Sequence, residues 1–155
     1  MKLGSYQLFC SDVEADALLD EATKLWCMSN SELDDNMNLV RSFTLTKTDK
    51  IAEMFSNPKN ILVMHNGIGY DGPVVAKVLG IKVEAEIIDT LFLSWYLYPK
   101  MLKHGLQAWG EELGIAKPEI DDWENLTLEQ YIHRCKEDVR IQVALWRQIW
   151  KHLML

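Results

Sequence analysis

The segment that most restricts this chain is Phe9-Cys10-Ser11-Asp12-Val13-Glu14-Ala15, an apolar run that ends in two carboxylates one residue apart. Side chains alternate between the two faces of a strand, so Asp12 and Glu14 project from the same face. Like charges held that close raise each other's proton affinity. A divalent cation removes the conflict, and oxygen donors suit Mg²⁺ or Mn²⁺. A lone Asp-x-Glu is more often a strand end with two solvated acids, so the rest of the chain has to decide between the two.

A length of 155 residues fits one domain, 1–155, with room for a sizeable core. No run approaches the roughly 18 apolar residues of a membrane span, and Met1 to Ser5 shows no leader pattern. The three cysteines, Cys10, Cys27 and Cys135, are scattered and lack a Cys-x-x-Cys pair. They point to a reducing, cytoplasmic setting rather than a disulfide frame or structural zinc. The net charge of −7 argues against a protein that grips duplex DNA mainly through phosphates. Any nucleic-acid contact has to be local, with bound cations reversing the sign of the field.

Along the chain, Tyr6–Ala15, Lys24–Ser29 and Leu39–Leu45 read as three strands close enough to form an antiparallel meander, the third on an edge. Ser29–Asn38 reads as a polar loop. Thr46 or Thr48 caps a helix through Phe55. Asn60–His65 is a short apolar run, read as a central strand parallel to the first. A helix over Asp71–Leu79 follows, with Pro73 in its first turn and Gly80 as its stop. Val83–Ile88 is a fifth strand, Leu91–Tyr98 and Gly105–Gly114 are helices, and Ile115–Trp123 is a loop. Thr127 caps a final helix whose apolar stripe is Cys135, Val139, Val143, Leu145, Trp146 and Ile149. The class is α/β, with helices flanking a five-stranded mixed sheet.

Further acids strengthen the first signal. Asn66-Gly67-Ile68-Gly69-Tyr70-Asp71 follows the central strand and sets Asp71 at a helix start, where an N-cap would also explain it. Asp138 lies between apolar positions of the final helix and can face inward; a solvated charged face, helped by Arg134 and Lys136, is the plainer alternative. Together, Asp12, Glu14, Asp71 and Asp138 would converge from three distant segments, a cluster that requires cations.

These residues resemble the motifs of the DEDD (DnaQ-like) 3′–5′ exonucleases. Asp12-Val13-Glu14 is similar to the first motif. Asn66 with Tyr70-Asp71 resembles the second, and His133-x-x-x-x-Asp138 the third in its histidine form. Ile88–Ser94 and His104–Gly110 resemble the proofreading exonuclease domain of phage family A DNA polymerases. In those domains a tyrosine usually stands four residues before the last aspartate, where this chain has Arg134. Residues five apart on a helix lie about 140° from each other, so His133 reaches the site only from an irregular segment. On a regular helix Arg134 is the nearer side chain and could contact the scissile phosphate.

The resemblance implies a ribonuclease H-like fold and two Mg²⁺ or Mn²⁺ held by Asp12, Glu14, Asp71 and Asp138. It implies His133 as the base, with Asn66 and Tyr70 positioning the terminal nucleotide. The implied substrate is the 3′ end of single-stranded DNA or RNA, with a DNA polymerase as a conceivable partner in trans and no membrane. A non-catalytic nucleic-acid- or polymerase-binding module of the same fold, or an activity that trims small RNA, is the alternative. Asp89 reads as a helix cap, His65 and His104 as structural, and the tryptophans as core.

Overall fold

The computed structural model describes residues 2–115 and 125–154. Five strands form one sheet: β1 (Gln7–Ala15), β2 (Leu25–Leu33), β3 (Leu39–Leu45), β4 (Asn60–Met64) and β5 (Glu86–Asp89). Their order across the sheet is β3-β2-β1-β4-β5. The first three strands form the antiparallel meander, while β4 runs parallel to both β1 and β5. The class, the central β4 and the edge position of β3 agree with the sequence reading. β2 runs on to Leu33, where the sequence suggests a loop from Ser29. The polar side chains there pair across strands instead: Ser29 Oγ lies 2.8 Å from Thr44 Oγ1, and Ser31 Oγ lies 2.8 Å from Ser42 Oγ. Such cross-strand hydroxyl pairs stabilise a sheet without apolar character.

Five helices cover the sheet: α1 (Thr48–Ser56), α2 (Gly72–Leu79), α3 (Thr90–Leu97), α4 (Leu106–Glu112) and α5 (Leu128–Leu153). One face packs Phe9, Val13, Met28 and Leu62 against Ile51 and Phe55 of α1 and Val74 and Val75 of α2. The other packs Leu8, Cys10 and Val63 against Trp109 of α4 and Val139, Leu145, Trp146 and Ile149 of α5. The whole apolar stripe read for the final helix is buried. α2 ends at Gly80, which takes a left-handed φ of 63° that costs glycine little. The loop read over Ile115–Trp123 falls largely outside the described residues. No helix among the described residues is long and apolar enough to cross a membrane.

α5 begins with a capping box. Thr127 Oγ1 accepts from the Gln130 N–H at 3.2 Å, and Gln130 Oε1 accepts from the Thr127 N–H at 2.8 Å. The cap matters because this end of α5 carries Arg134, Cys135 and Asp138 toward β1. Replacing Thr127 by Ala is expected to cost about 0.5–2 kcal/mol. Urea unfolding followed by circular dichroism checks it.

Candidate active site

Asp12 and Glu14 leave the C-terminal half of β1 on the side covered by α5. Their register is set by pairing with Ser29 and Cys27 of β2. Cys135, one turn before Asp138 on α5, donates its Sγ–H to the Asp12 carbonyl at 3.2 Å. That contact brings Asp138 down beside the strand. Among the described residues, Asp12, Glu14 and Asp138 form one group whose ligand oxygens all lie within 4.8 Å of one another.

Asp71 joins from a third direction. Asn66 takes a left-handed φ of 63°, which Asn tolerates better than most residues. Gly67–Asp71 then forms one π-helical turn, closed by the Gly72 N–H on the Gly67 carbonyl. Such wide turns often mark functional sites. A Cβ added to Gly67 would meet Met64 Cβ at 2.6 Å, so only glycine lets the turn lie this close to β4. Asp71 does not cap α2 with its side chain. It is buried, and its Oδ2 accepts from the Val13 N–H at 3.2 Å, between Asp12 and Glu14 in sequence. Asp71 therefore adjoins the three-acid group and braces the strand that carries two of its members.

Electrostatics follow from this packing. Burial raises the Asp12 carboxyl well above the usual range, and Cys135, Asp138, Asp71 and Glu14 push the same way. Burial likewise raises Asp71, partly offset by the Val13 hydrogen bond. Asp12 Oδ2 is buried and has no hydrogen-bond partner. An orphaned buried carboxylate oxygen inside a cluster of acids is a costly arrangement. Hard oxygen donors at this spacing fit a hard divalent cation, so the residues present suit Mg²⁺ or Mn²⁺.

The other named residues divide. Arg134 Nε lies 3.7 Å from Glu14 Oε1, at the margin of the acids. His133 is exposed, and α5 is regular from Leu128 onward. On this helix His133 lies about 140° around the axis from Asp138, whereas Arg134 shares the Asp138 face. Tyr70 donates its hydroxyl to the Ala17 carbonyl at 2.7 Å, bracing the loop after β1. Asn66 holds the turn by its backbone, its N–H donating to Asp89 Oδ1 at 2.9 Å. Asp89 caps α3 at Leu91 N, as read, and also accepts from the Ile68 N–H. His65 and His104 are structural: His65 Nε2–H donates to the His104 carbonyl at 2.6 Å.

One feature had a weak signal in sequence. Between Glu14 and Ala15 the pairing slips, because Cys27 faces Glu14 and Leu25 faces Ala15. Trp26 is the extra residue of this bulge. Bulges re-aim side chains, and the Trp26 ring stacks on Tyr131 of α5 at 4.9 Å with Lys24 Nζ above it. Tyr131, Arg134 and Asp138 recur at helical spacing, which is the pattern that could have revealed a shared face.

Known proteins resemble this chain in sequence or in fold. The DNA-directed DNA polymerase of Enterobacteria phage T3 is 27% identical over 79% of this chain. That of Escherichia phage T7 is 26% identical over 79%. The chain spans only 21% of the length of either polymerase. E. coli exonuclease I in complex with a dT13 oligonucleotide superposes with a TM-score of 0.67, at 12% identity, over 93% of this chain and 41% of that one. The sequence is thus similar to those of phage DNA polymerases, and the fold is that of exonuclease I. A nuclease solved in its apo form gives a TM-score of 0.70 at 17% identity, over 96% of this chain and 73% of that one. The zinc-bound exonuclease I–single-stranded DNA complex gives 0.65 at 12% identity, over 96% and 43%. No protein-family model matches the sequence. The five-stranded mixed sheet flanked by helices is the ribonuclease H-like fold expected.

The raised carboxyls make stability depend on pH. Asp12 and Asp71 bind protons more tightly folded than unfolded, so their contribution is full below the ordinary carboxylate range. It is lost as pH rises through the raised values. A bound divalent cation opposes that loss. Mn²⁺ at a hundredfold excess over its Kd at about pH 8 is therefore expected to add ~2.7 kcal/mol of stability there and less at about pH 5, read as a larger rise in Tm at the higher pH. Asp12→Asn should raise the metal-free Tm at the higher pH and remove most of the Mn²⁺ increment. An equal increment at both pH values would count against the metal assignment.

Proposed function

We propose that this chain is a metal-dependent 3′–5′ exonuclease that releases nucleoside 5′-monophosphates from single-stranded nucleic acid, with DNA favoured over RNA. The observation that carries this reading is the meeting of Asp12, Glu14 and Asp138 within 4.8 Å, with Asp12 Oδ2 left without a protein partner. The phage polymerase relatives and the exonuclease-like fold support it.

Asp12, Glu14 and Asp138 would hold two Mg²⁺ or Mn²⁺, with Asp71 behind them. When bound, such ions activate water and neutralise charge on the phosphate and the leaving oxygen. The chain's own residues do the rest. Cys135 and Asp71 hold the two ends of one peptide group, the Asp12 carbonyl and the Val13 N–H, and so fix the β1 backbone between Asp12 and Glu14. The Arg134 guanidinium, held near Glu14, is placed to bind the scissile phosphate and orient it. A guanidinium has donors only and offers no acceptor for a proton. The proton of the attacking water therefore leaves to solvent rather than to a side chain at that position. Tyr70 and Asn66 keep the loop after β1 and the π turn in place, and so shape the space for the terminal nucleotide. By its relatives, the domain acts beside a polymerase, covalently joined or in trans.

A 5′-labelled DNA and RNA ladder assay with Mg²⁺, Mn²⁺ or chelator tests the reading. Stepwise shortening from the 3′ end is expected with either metal and none with chelator. Asp12→Ala should abolish it with the fold retained. If wild-type protein cuts neither polymer, a non-catalytic binding module is the correct reading. Arg134→Ala is expected to reduce kcat/KM by roughly 10²-fold, while His133→Ala stays within about threefold, since losing a true base costs about 10²–10⁴. The reverse ranking would restore His133 to that role.

A further inference from the structure

α3 presents aromatic side chains to solvent on one face. Phe92, Trp95 and Tyr96 stand at i, i+3 and i+4 and therefore share that face. Their exposures are 55%, 54% and 81%. The opposite side of the helix, with Leu93 and Leu97, packs against the core beside α5. Scattered exposed apolar residues need no explanation, but a contiguous aromatic face does. The loop after α3 extends it with Leu102, 95% exposed, flanked by Lys100 and Lys103.

This surface is rigid. Trp109 Nε1–H donates to Ser94 Oγ at 2.8 Å, the Ser94 hydroxyl donates to His104 Nδ1, and His104 Nε2–H donates to the Met101 carbonyl at 3.0 Å. The His104 ring in turn stacks under Trp95 at 3.9 Å. Aromatic rings fixed beforehand lose little entropy when a planar ligand stacks on them.

Charge and position identify the ligand. The chain has 23 acidic residues, yet none lies between Thr90 and Gly110, where Lys100 and Lys103 stand. In a molecule of net charge −7 this is an acid-free, lysine-bearing, aromatic segment. It also joins the carboxylate site directly: Asp89 caps α3 and holds the N–H groups of the π turn that delivers Asp71. Ile68 of that turn is itself exposed. Rings beside lysines form the usual platform for single-stranded nucleic acid, with bases on the rings and phosphates on the cations.

We propose that the α3 face of Phe92, Trp95 and Tyr96, with Lys100 and Lys103, binds the single strand upstream of its 3′ end. The inference rests on the nuclease reading for the direction of the strand, but its test needs no hydrolysis. Full-length Asp12→Ala protein in Mg²⁺ is titrated into fluorescein-labelled oligothymidylates of 4 and 16 nucleotides, followed by anisotropy. Adding Phe92→Ser with Tyr96→Ser is expected to weaken the longer strand by roughly tenfold or more and the shorter by less than about threefold. Lys100→Gln with Lys103→Gln should reduce the salt slope for the longer strand by about 1.4. Unchanged affinity for the longer strand overturns the proposal, as does an equal loss for both lengths. Loss of self-association in sedimentation with oligonucleotide affinity intact also overturns it, and marks the face as a protein interface. A wild-type chain that hydrolyses nothing defeats the nuclease reading alone; the length-dependent binding still decides this one.

Discussion

Repulsion among Asp12, Glu14 and Asp138 is the constraint around which the molecule is built. Three carboxylate groups with oxygens within 4.8 Å would separate if their backbones were free to move. They are not free. β1 is paired on both sides, by β2 and β4, and so cannot shift its register without exposing a core face. α5 is pinned by a buried stripe that includes Trp146 and Ile149, far from the acids. Cys135 and Asp71 then fix the local backbone by single hydrogen bonds. The hydrophobic cores thus hold charge in a place where charge alone would not stay, and a cation is the natural complement.

Most of the fold was legible because its signals are local. The apolar run of Asn60–His65 between turn residues marks a central strand, and the period of the α5 stripe marks a helix with one buried face. Ser29–Leu33 misled because serines and an asparagine look like a loop, whereas pairing with Ser42 and Thr44 makes them strand. That outcome depends on a partner strand and cannot be read from the segment alone. The convergence of the acids could be inferred from motif order. The choice between His133 and Arg134 could not, because it turns on whether one helix is regular at a given residue.

Trp26 shows the same limit. Its role depends on a one-residue slip between β1 and β2, a feature of register rather than composition. The slip turns the indole onto Tyr131, so the N-terminal turns of α5 rest on an aromatic stack as well as on a cap. Trp95, read as core, instead lies on the exposed side of α3. Helical spacing does not say which side of an all-apolar helix is covered.

The order of the acids along the chain carries a temporal meaning. Asp12 and Glu14 belong to the first strand, whereas Asp138 belongs to the last helix. A protein emerging from the ribosome has the first pair early and lacks the third until α5 has been made. A copy halted before α5 thus has only part of the acid cluster. Covalent connectivity by itself postpones the gathering of these acids until the segment bearing Asp138 can pack on β1.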